Sequence, residues 1–272
     1  TPVDPPVKGK YSIADMVTLK KFLLNVTPSV ILDVEKFDVN KDEKINVFDL
    51  RMMLGILLGL VEEPKEPDVD LPEGFSDMTS MEIAQDMKVG WNLGNTLDSI
   101  YWTANPTPAQ LEVAWGNPIT TKAMIDEIKK AGFNTVRIPT TWFQFTGEGP
   151  EYVIDERWMD RVQEVVDYVI DNDMYCILNT HHEGEWLKPL PENETMLVER
   201  VSKVWTQIGD RFKNYDERLI FEGLNEPRTE DSEKQWSGGT AEERAVLNKL
   251  LDAFVTTVRS TGGNNEFRHL MV

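Results

Sequence analysis

The chain has 272 residues, enough for two soluble domains or for one large α/β barrel with little left over. Its 47 acidic side chains outnumber 28 Lys and Arg, a formal net charge of −19. Nucleic acid and anionic membrane surfaces are therefore poor partners, because phosphate binding needs clustered cations. A single cysteine, Cys176, excludes an internal disulfide framework and a Cys-rich zinc site.

Residues 1–60 carry an internal repeat. YSIADMVTLKKFLLN (11–25) aligns with INVFDLRMMLGILLG (45–59): Ser12 matches Asn46, Asp15 matches Asp49, and Phe22-Leu23-Leu24 match Ile56-Leu57-Leu58. Each copy is a polar loop followed by an apolar helix, so the two helices are expected to bury their faces on each other. The second loop supplies oxygens at alternating places. Asp38, Asn40 and Asp42 stand at positions 1, 3 and 5 of a 12-residue loop, Lys44 offers its carbonyl at 7, Asn46 stands at 9 and Asp49 at 12. Ca²⁺ is a hard ion that takes six to eight oxygens, and this pattern suits it. Glu43 occupies position 6, where φ > 0 is usual, at a strain of about 1 kcal/mol. The competing reading is an Asx-rich surface turn. In the first copy Pro6 and Lys8 fall at positions 3 and 5 and cannot ligate, so one calcium ion is expected, not two.

Two such copies, with Asp at position 12 and a helix ending in Leu-Leu, resemble a dockerin over residues 4–60. The resemblance implies a cohesin domain of a cellulosome scaffold as partner and a secreted, extracellular protein. It makes Val47 and Phe48, loop positions 10 and 11, candidate cohesin contacts; for Phe48 simple core packing competes equally.

Residues 61–75 are acidic and Pro-rich, a linker composition. Residues 76–272 then alternate. Strands are expected at 87–94, 133–139, around 174–179 and at 218–227, with a fifth beginning at 267; helices are expected at 120–132, 154–172, 194–212 and 240–263. Near-continuous apolar strands alternating with amphipathic helices mean a parallel α/β sheet covered by helices. The polar clusters Trp91-Asn92, Arg137, His181-His182 and Asn225-Glu226 all fall at C-terminal strand ends, where such sheets bind ligands.

An Asn-Glu pair converging with an arginine and two histidines is a costly arrangement for stability alone. Trp91, Trp102, Trp115, Trp142, Trp186 and Trp236 crowd the same rim and suit stacking on sugar rings; Trp158 and Trp205 lie within helices and read as core. Carbohydrate chemistry by carboxylic acids follows, with Glu226 as general acid/base, its pKa raised by burial and a second carboxylate. Asn225 would bond a sugar hydroxyl, while Arg137, His181 and His182 orient the carboxylates. No His/Asp cluster shows ligand spacing, so no catalytic metal is expected.

VGWNLGNTLD, AGFNTVRIPTTW, CILNTHHE and LIFEGLNEPR, in that order, resemble glycoside hydrolase family 5, most closely its endoglucanase and xyloglucanase subfamily. The resemblance implies a (β/α)₈ barrel and a retaining, endo-acting hydrolase of β-1,4-glucans (cellulose, mixed-linkage glucan or xyloglucan), monomeric in its catalytic part. It places Glu226 as acid/base, Arg137, His181, His182 and Asn225 at the sugar being cleaved, and Trp115 and Asn95 further out. The family's nucleophile ends a seventh strand, whereas this chain stops within the fifth. The expectation is a catalytic domain truncated after five strands and four helices, with the nucleophile outside residues 1–272. A catalytically inactive fragment acting only as a calcium-dependent cohesin- or glucan-binding module is the alternative. A doubly wound nucleotide-binding sheet is disfavoured, since WNLGNT lacks the G-x-G-x-x-G phosphate loop.

Overall fold

The computed structural model describes residues 11–26, 32–40, 44–61 and 70–272. Asp42, Glu43, Pro6, Lys8 and most of segment 61–75 lie outside the described residues. The chain forms two compact units, 1–70 and 71–272, which divide within that segment.

In the smaller unit, helices α1 (Ile13–Leu23), α2 (Val34–Phe37) and α3 (Val47–Leu57) enclose a core of Tyr11, Leu19, Leu32, Phe37, Val39 and Met53. The sequence repeat reappears as a repeated helix start. Ser12 caps α1 and Asn46 caps α3, and in each case the Asp three residues on accepts from the cap's own backbone amide, Ser12 N to Asp15 at 2.9 Å and Asn46 N to Asp49 at 2.7 Å. Such reciprocal capping satisfies two of the amides that a helix start leaves without partners.

The larger unit opens with α4 (Ser80–Asp86), capped by a Thr79–Glu82 box that the sequence analysis did not single out. There follow β1 (Gly90–Asn92), α5 (Pro108–Glu112), α6 (Lys122–Lys130), β2 (Thr135–Ile138), α7 (Glu156–Ile170), β3 (Tyr175–Asn179), α8 (Glu194–Phe212), β4 (Leu219–Glu222), α9 (Ala241–Ser260) and β5 (Leu270–Met271). All five strands are parallel and lie in chain order. The helix starts follow the local chemistry: Thr121, Asp155 and Thr240 cap α6, α7 and α9 with their side-chain oxygens.

Strand alternation sorts the side chains onto two faces. Val136, Ile138, Cys176, Leu178, Leu219 and Phe221 point outward into the main core with Trp158, Val162, Trp205 and Phe254 of the covering helices. Tyr175, Ile177 and Ile220 point inward, and Ile83 of α4 packs on them, with Met78 and Met87 at its flanks. The apolar inner side chains sit toward the N-terminal strand ends, which leaves the polar inner residues Asn92, Arg137, Asn179 and Glu222 at the C-terminal ends.

The expected fifth strand at 267–272 is shorter in the structure. Arg268 is buried ahead of it, and its guanidinium donates to the carbonyls of Phe212, Tyr215, Asp216 and Leu219. Among the described residues no helix is long and apolar enough to cross a membrane.

Candidate active site

Arg137 is the hub of the C-terminal rim. It leaves β2 on the inner face and forks onto Glu222 of β4, Nε to Oε2 at 2.6 Å and Nη2 to Oε1 at 2.5 Å. The same Nη2 donates to Asn225 Oδ1 at 2.9 Å, and Nη1 donates to Asn92 Oδ1 at 3.0 Å. Asn179 of β3 adds a bond from Nδ2 to Glu222 Oε1 at 3.1 Å. One guanidinium thus ties together side chains from β1, β2 and β4 and from the turn after β4, with the planar fork that suits a carboxylate.

The histidine pair stands beside this network. His181 Nδ1 lies 3.1 Å from Asn179 Nδ2, and the backbone amide of His181 donates to Thr140 O at 2.9 Å. The two imidazoles meet edge to face, 4.5 Å between centroids, and Trp115 packs its edge on His182 at 5.3 Å. Burial, then the neighbouring His182, pull His181 down to about 4, against the opposing pull of Asp98.

Glu226 lies one residue past Asn225, whose amide donates to Thr180 O at 2.9 Å. The backbone at Glu226 has φ +43, an uncommon conformation for a residue with a side chain, of the kind that collects at functional turns. Arg228 Nη1 donates to the Glu226 carbonyl at 3.0 Å and to Oε2 at 3.2 Å, while its guanidinium lies 4.4 Å over Trp236. A cavity of about 140 Å³ opens here, lined by His181, His182, Asn225, Glu226, Phe143 and Arg228 among others.

With this constellation at the strand ends, the match to known proteins is decisive: the cellulase model, glycosyl hydrolase family 5, covers residues 96–272. The chain belongs to glycosyl hydrolase family 5. Its relatives include Endoglucanase B of Clostridium cellulovorans, 50% identical over 199 residues that make up 73% of this chain and 43% of that protein. A xyloglucan-specific endo-beta-1,4-glucanase of Bacteroides ovatus is 40% identical over 200 residues, 73% of this chain and 39% of that protein. Among solved structures, a broad specificity endoglucanase from Ruminococcus champanellensis with bound cellotriose superposes with a TM-score of 0.71 at 56% identity, over 72% of this chain and 57% of that one. The chain therefore spans less than two thirds of the length of these relatives. Its parallel α/β sheet matches the (β/α)₈ barrel fold of these family 5 neighbours.

Within this family 5 domain, several expectations need correction. Trp142 is no sugar platform: it is 1% exposed, and its Nε1 donates to Asn179 O at 2.9 Å, pinning the turn after β2 to β3. Trp91 pairs in register with Val136, an outward residue, so it belongs to the helix-covered face of β1, edge-on to Phe133. Trp186 is half-buried against the core, bonded to Glu183 and stacked by Arg200 at 4.4 Å. Trp115, Trp236 and Asn95 are exposed. Glu226 is not buried. Its side chain is 64% exposed within residues 1–272, with the cation Arg228 beside it.

Three acids escaped the sequence reading. Glu222 follows from alternation along β4, which turns it inward toward the inward Arg137. Glu183 is buried and accepts from Trp142 N at 2.6 Å, Phe143 N at 3.3 Å and Trp186 Nε1; burial raises it to about 7 despite these donors. Asp98 lies far away in sequence, yet its Oδ2 is 3.9 Å from His181 Nε2 and 3.8 Å from His182 Nε2. The three donor atoms lie within 4.8 Å of one another, which corrects the expectation that no His/Asp cluster has ligand spacing.

In the smaller unit, Asp38 and Asp49 are both buried at the two ends of the expected calcium loop. Asp49 closes the loop by accepting from Asn40 N at 3.2 Å and Asn46 N at 2.7 Å. Asp38 and Asp49 are carboxylates, the donor type a hard cation takes. Val47 and Phe48 are 62% and 61% exposed, so Phe48 is not a core residue.

Proposed function

We propose that the protein is an endo-acting β-1,4-glucanase, retaining in stereochemistry, in which Glu226 is the general acid/base. The observation that carries this reading is Glu226 on its left-handed turn beside Asn225 and the Arg137 fork, in a chain whose family 5 match runs through all of them. Support for the substrate comes from a relative named an endoglucanase, another named a xyloglucan-specific endo-beta-1,4-glucanase, and a broad specificity endoglucanase solved with cellotriose.

In this mechanism a glucan lies across the C-terminal rim, with Trp115 and Trp236 as apolar platforms for its rings. Asn225, fixed through its Oδ1 by Arg137, turns its amide NH₂ toward a sugar hydroxyl. Glu226 gives its proton to the leaving glycosidic oxygen and then, as carboxylate, takes one from the attacking water. A retaining reaction also requires a carboxylate about 5–5.5 Å away across the sugar. The proposal assigns that group to barrel strands outside residues 1–272. Reducing-end release from carboxymethylcellulose and xyloglucan tests the assignment. The chain of 272 residues is expected to show no turnover, and restoring three further strands is expected to bring it.

The smaller unit is proposed to be a dockerin-like module of a secreted, cellulosome-associated enzyme. Asp38, Asn40, Asp42, the Lys44 carbonyl and Asp49 would hold one calcium ion, which orders the loop. The exposed pair Val47 and Phe48 would meet a cohesin domain.

A further inference from the structure

Asp98 occupies the loop after β1 and is 3% exposed. The loop is fixed on both sides of it: Thr96 N donates to Asp98 Oδ1 at 2.9 Å, Thr141 Oγ1 donates to Asp98 O at 3.0 Å, and Thr141 N donates to Leu97 O at 3.0 Å. Its second oxygen, Oδ2, faces Nε2 of both histidines at 3.8–3.9 Å.

The opposite nitrogen of His181 is settled by Asn179. The Asn179 Oδ1 accepts from Thr140 N at 3.1 Å, so its other atom is the NH₂ group, which donates to Glu222 Oε1 and to His181 Nδ1, both at 3.1 Å. A nitrogen that accepts carries no proton, so neutral His181 holds its proton on Nε2, aimed at Asp98. The same three donor atoms have the spacing of a small metal site. A ligating imidazole nitrogen must be free of its proton, however, and Asn179 denies His181 that form.

Resting on the glucanase reading, we propose that Asp98 is a positioning residue that holds the proton of both His181 and His182 on Nε2, so that Nδ1 of His182 is presented to the cavity as an acceptor for a sugar hydroxyl. His181 then has Nδ1 bonded to Asn179 and Nε2 facing Asp98 at 3.9 Å, a spacer between the two. His182, held edge-on by Trp115 and lining the cavity beside Asn225 and Glu226, is the one that meets the ligand. The specificity this builds is for a hydroxyl that donates, whereas a group that can only accept at that place is rejected.

The test is long-range ¹H–¹⁵N NMR of the histidine rings in the whole chain, free and with cellotriose, for wild type and Asp98→Asn. Nε2–H on both rings is expected in wild type, with a cellotriose-induced shift at His182 Nδ1. In Asp98→Asn the His182 tautomers should mix and cellotriose affinity should fall roughly threefold to tenfold, the worth of one hydrogen bond. Asp98→Glu, which keeps the charge, should restore the wild-type tautomer and serves if Asp98→Asn does not fold. The wild-type measurement needs no variant. A proton on Nδ1 of either ring in wild type overturns the proposal, as does stoichiometric Zn²⁺ uptake that shifts Nε2 of both histidines. The expected tautomers in a chain extended by the further barrel strands that still binds no cellotriose would uphold the role of Asp98 and count against the glucanase reading alone.

Discussion

Arg137 of β2 and Glu222 of β4 join across β3 through two parallel hydrogen bonds of 2.6 and 2.5 Å. Both side chains are mostly out of water, 25% and 15% exposed, so neither can lose the other and recover its solvation. Arg137→Ala should cost about 2–4 kcal/mol of stability, chiefly by stranding Glu222. Pairing it with Glu222→Gln should recover part of that loss. Chemical denaturation of the two single variants and the double variant measures the coupling. Simple additivity would show that the fork does not bind the rim together.

Two buried groups give stability opposite slopes with pH. Folding raises Glu183 from 4.5 to about 7, so the folded chain holds a proton that the unfolded chain releases, and its contribution falls as pH rises through that window. Folding lowers His181 from 6.5 to about 4, so the unfolded chain takes up a proton that the folded chain refuses, and its contribution rises with pH between those values. The slopes largely cancel in the wild type between pH 4.5 and 6.5. They separate in variants: Glu183→Gln should gain on wild type from pH 5 to 7, and His181→Asn should lose ground from pH 4.5 to 6.5. Each change should be on the order of 2 kcal/mol. Urea midpoints across the range check both; curves parallel to wild type would remove both assignments.

Trp142 and Trp115 should divide stability from binding. Trp142 is enclosed and bonded to Asn179 O, so Trp142→Ala should cost about 3–5 kcal/mol. Trp115 is 43% exposed against His182, so Trp115→Ala should fold nearly as well as wild type while losing cellotriose affinity. Thermal melts and calorimetry read the two effects separately.

Calorimetric titration with calcium should give one ion per chain, lost in Asp38→Ala. Two tight sites would mean that the first loop ligates after all. Cohesin capture should fail in a Val47→Asp, Phe48→Asp variant whose calcium uptake is normal.

How much of this was legible in the sequence depends on the range of the interaction. The helix starts expected at 120, 154 and 240 were, because Thr121, Asp155 and Thr240 act on amides two or three residues away. So were the strand-end positions of Arg137, His181, Asn225 and Glu226. Of their partners, alternation along β4 places Glu222 on the inner face but does not name its mate, and Asp98 was silent; strand pairing brings the two in over 85 and 83 residues. Tryptophan alone is silent about depth, since Trp142 lies between β2 and α7 and Trp115 between α5 and α6, and only the packing buries one of them.

The central claim is that Glu226 moves the proton in glucan cleavage. The measurement that tests it most directly is hydrolysis of carboxymethylcellulose by a chain extended with the strands its family 5 relatives carry, compared with its Glu226→Gln variant. The account predicts turnover in the first and a loss of at least about 10²–10⁴-fold in the second. Turnover that survives Glu226→Gln, or robust hydrolysis by residues 1–272 alone, would contradict it.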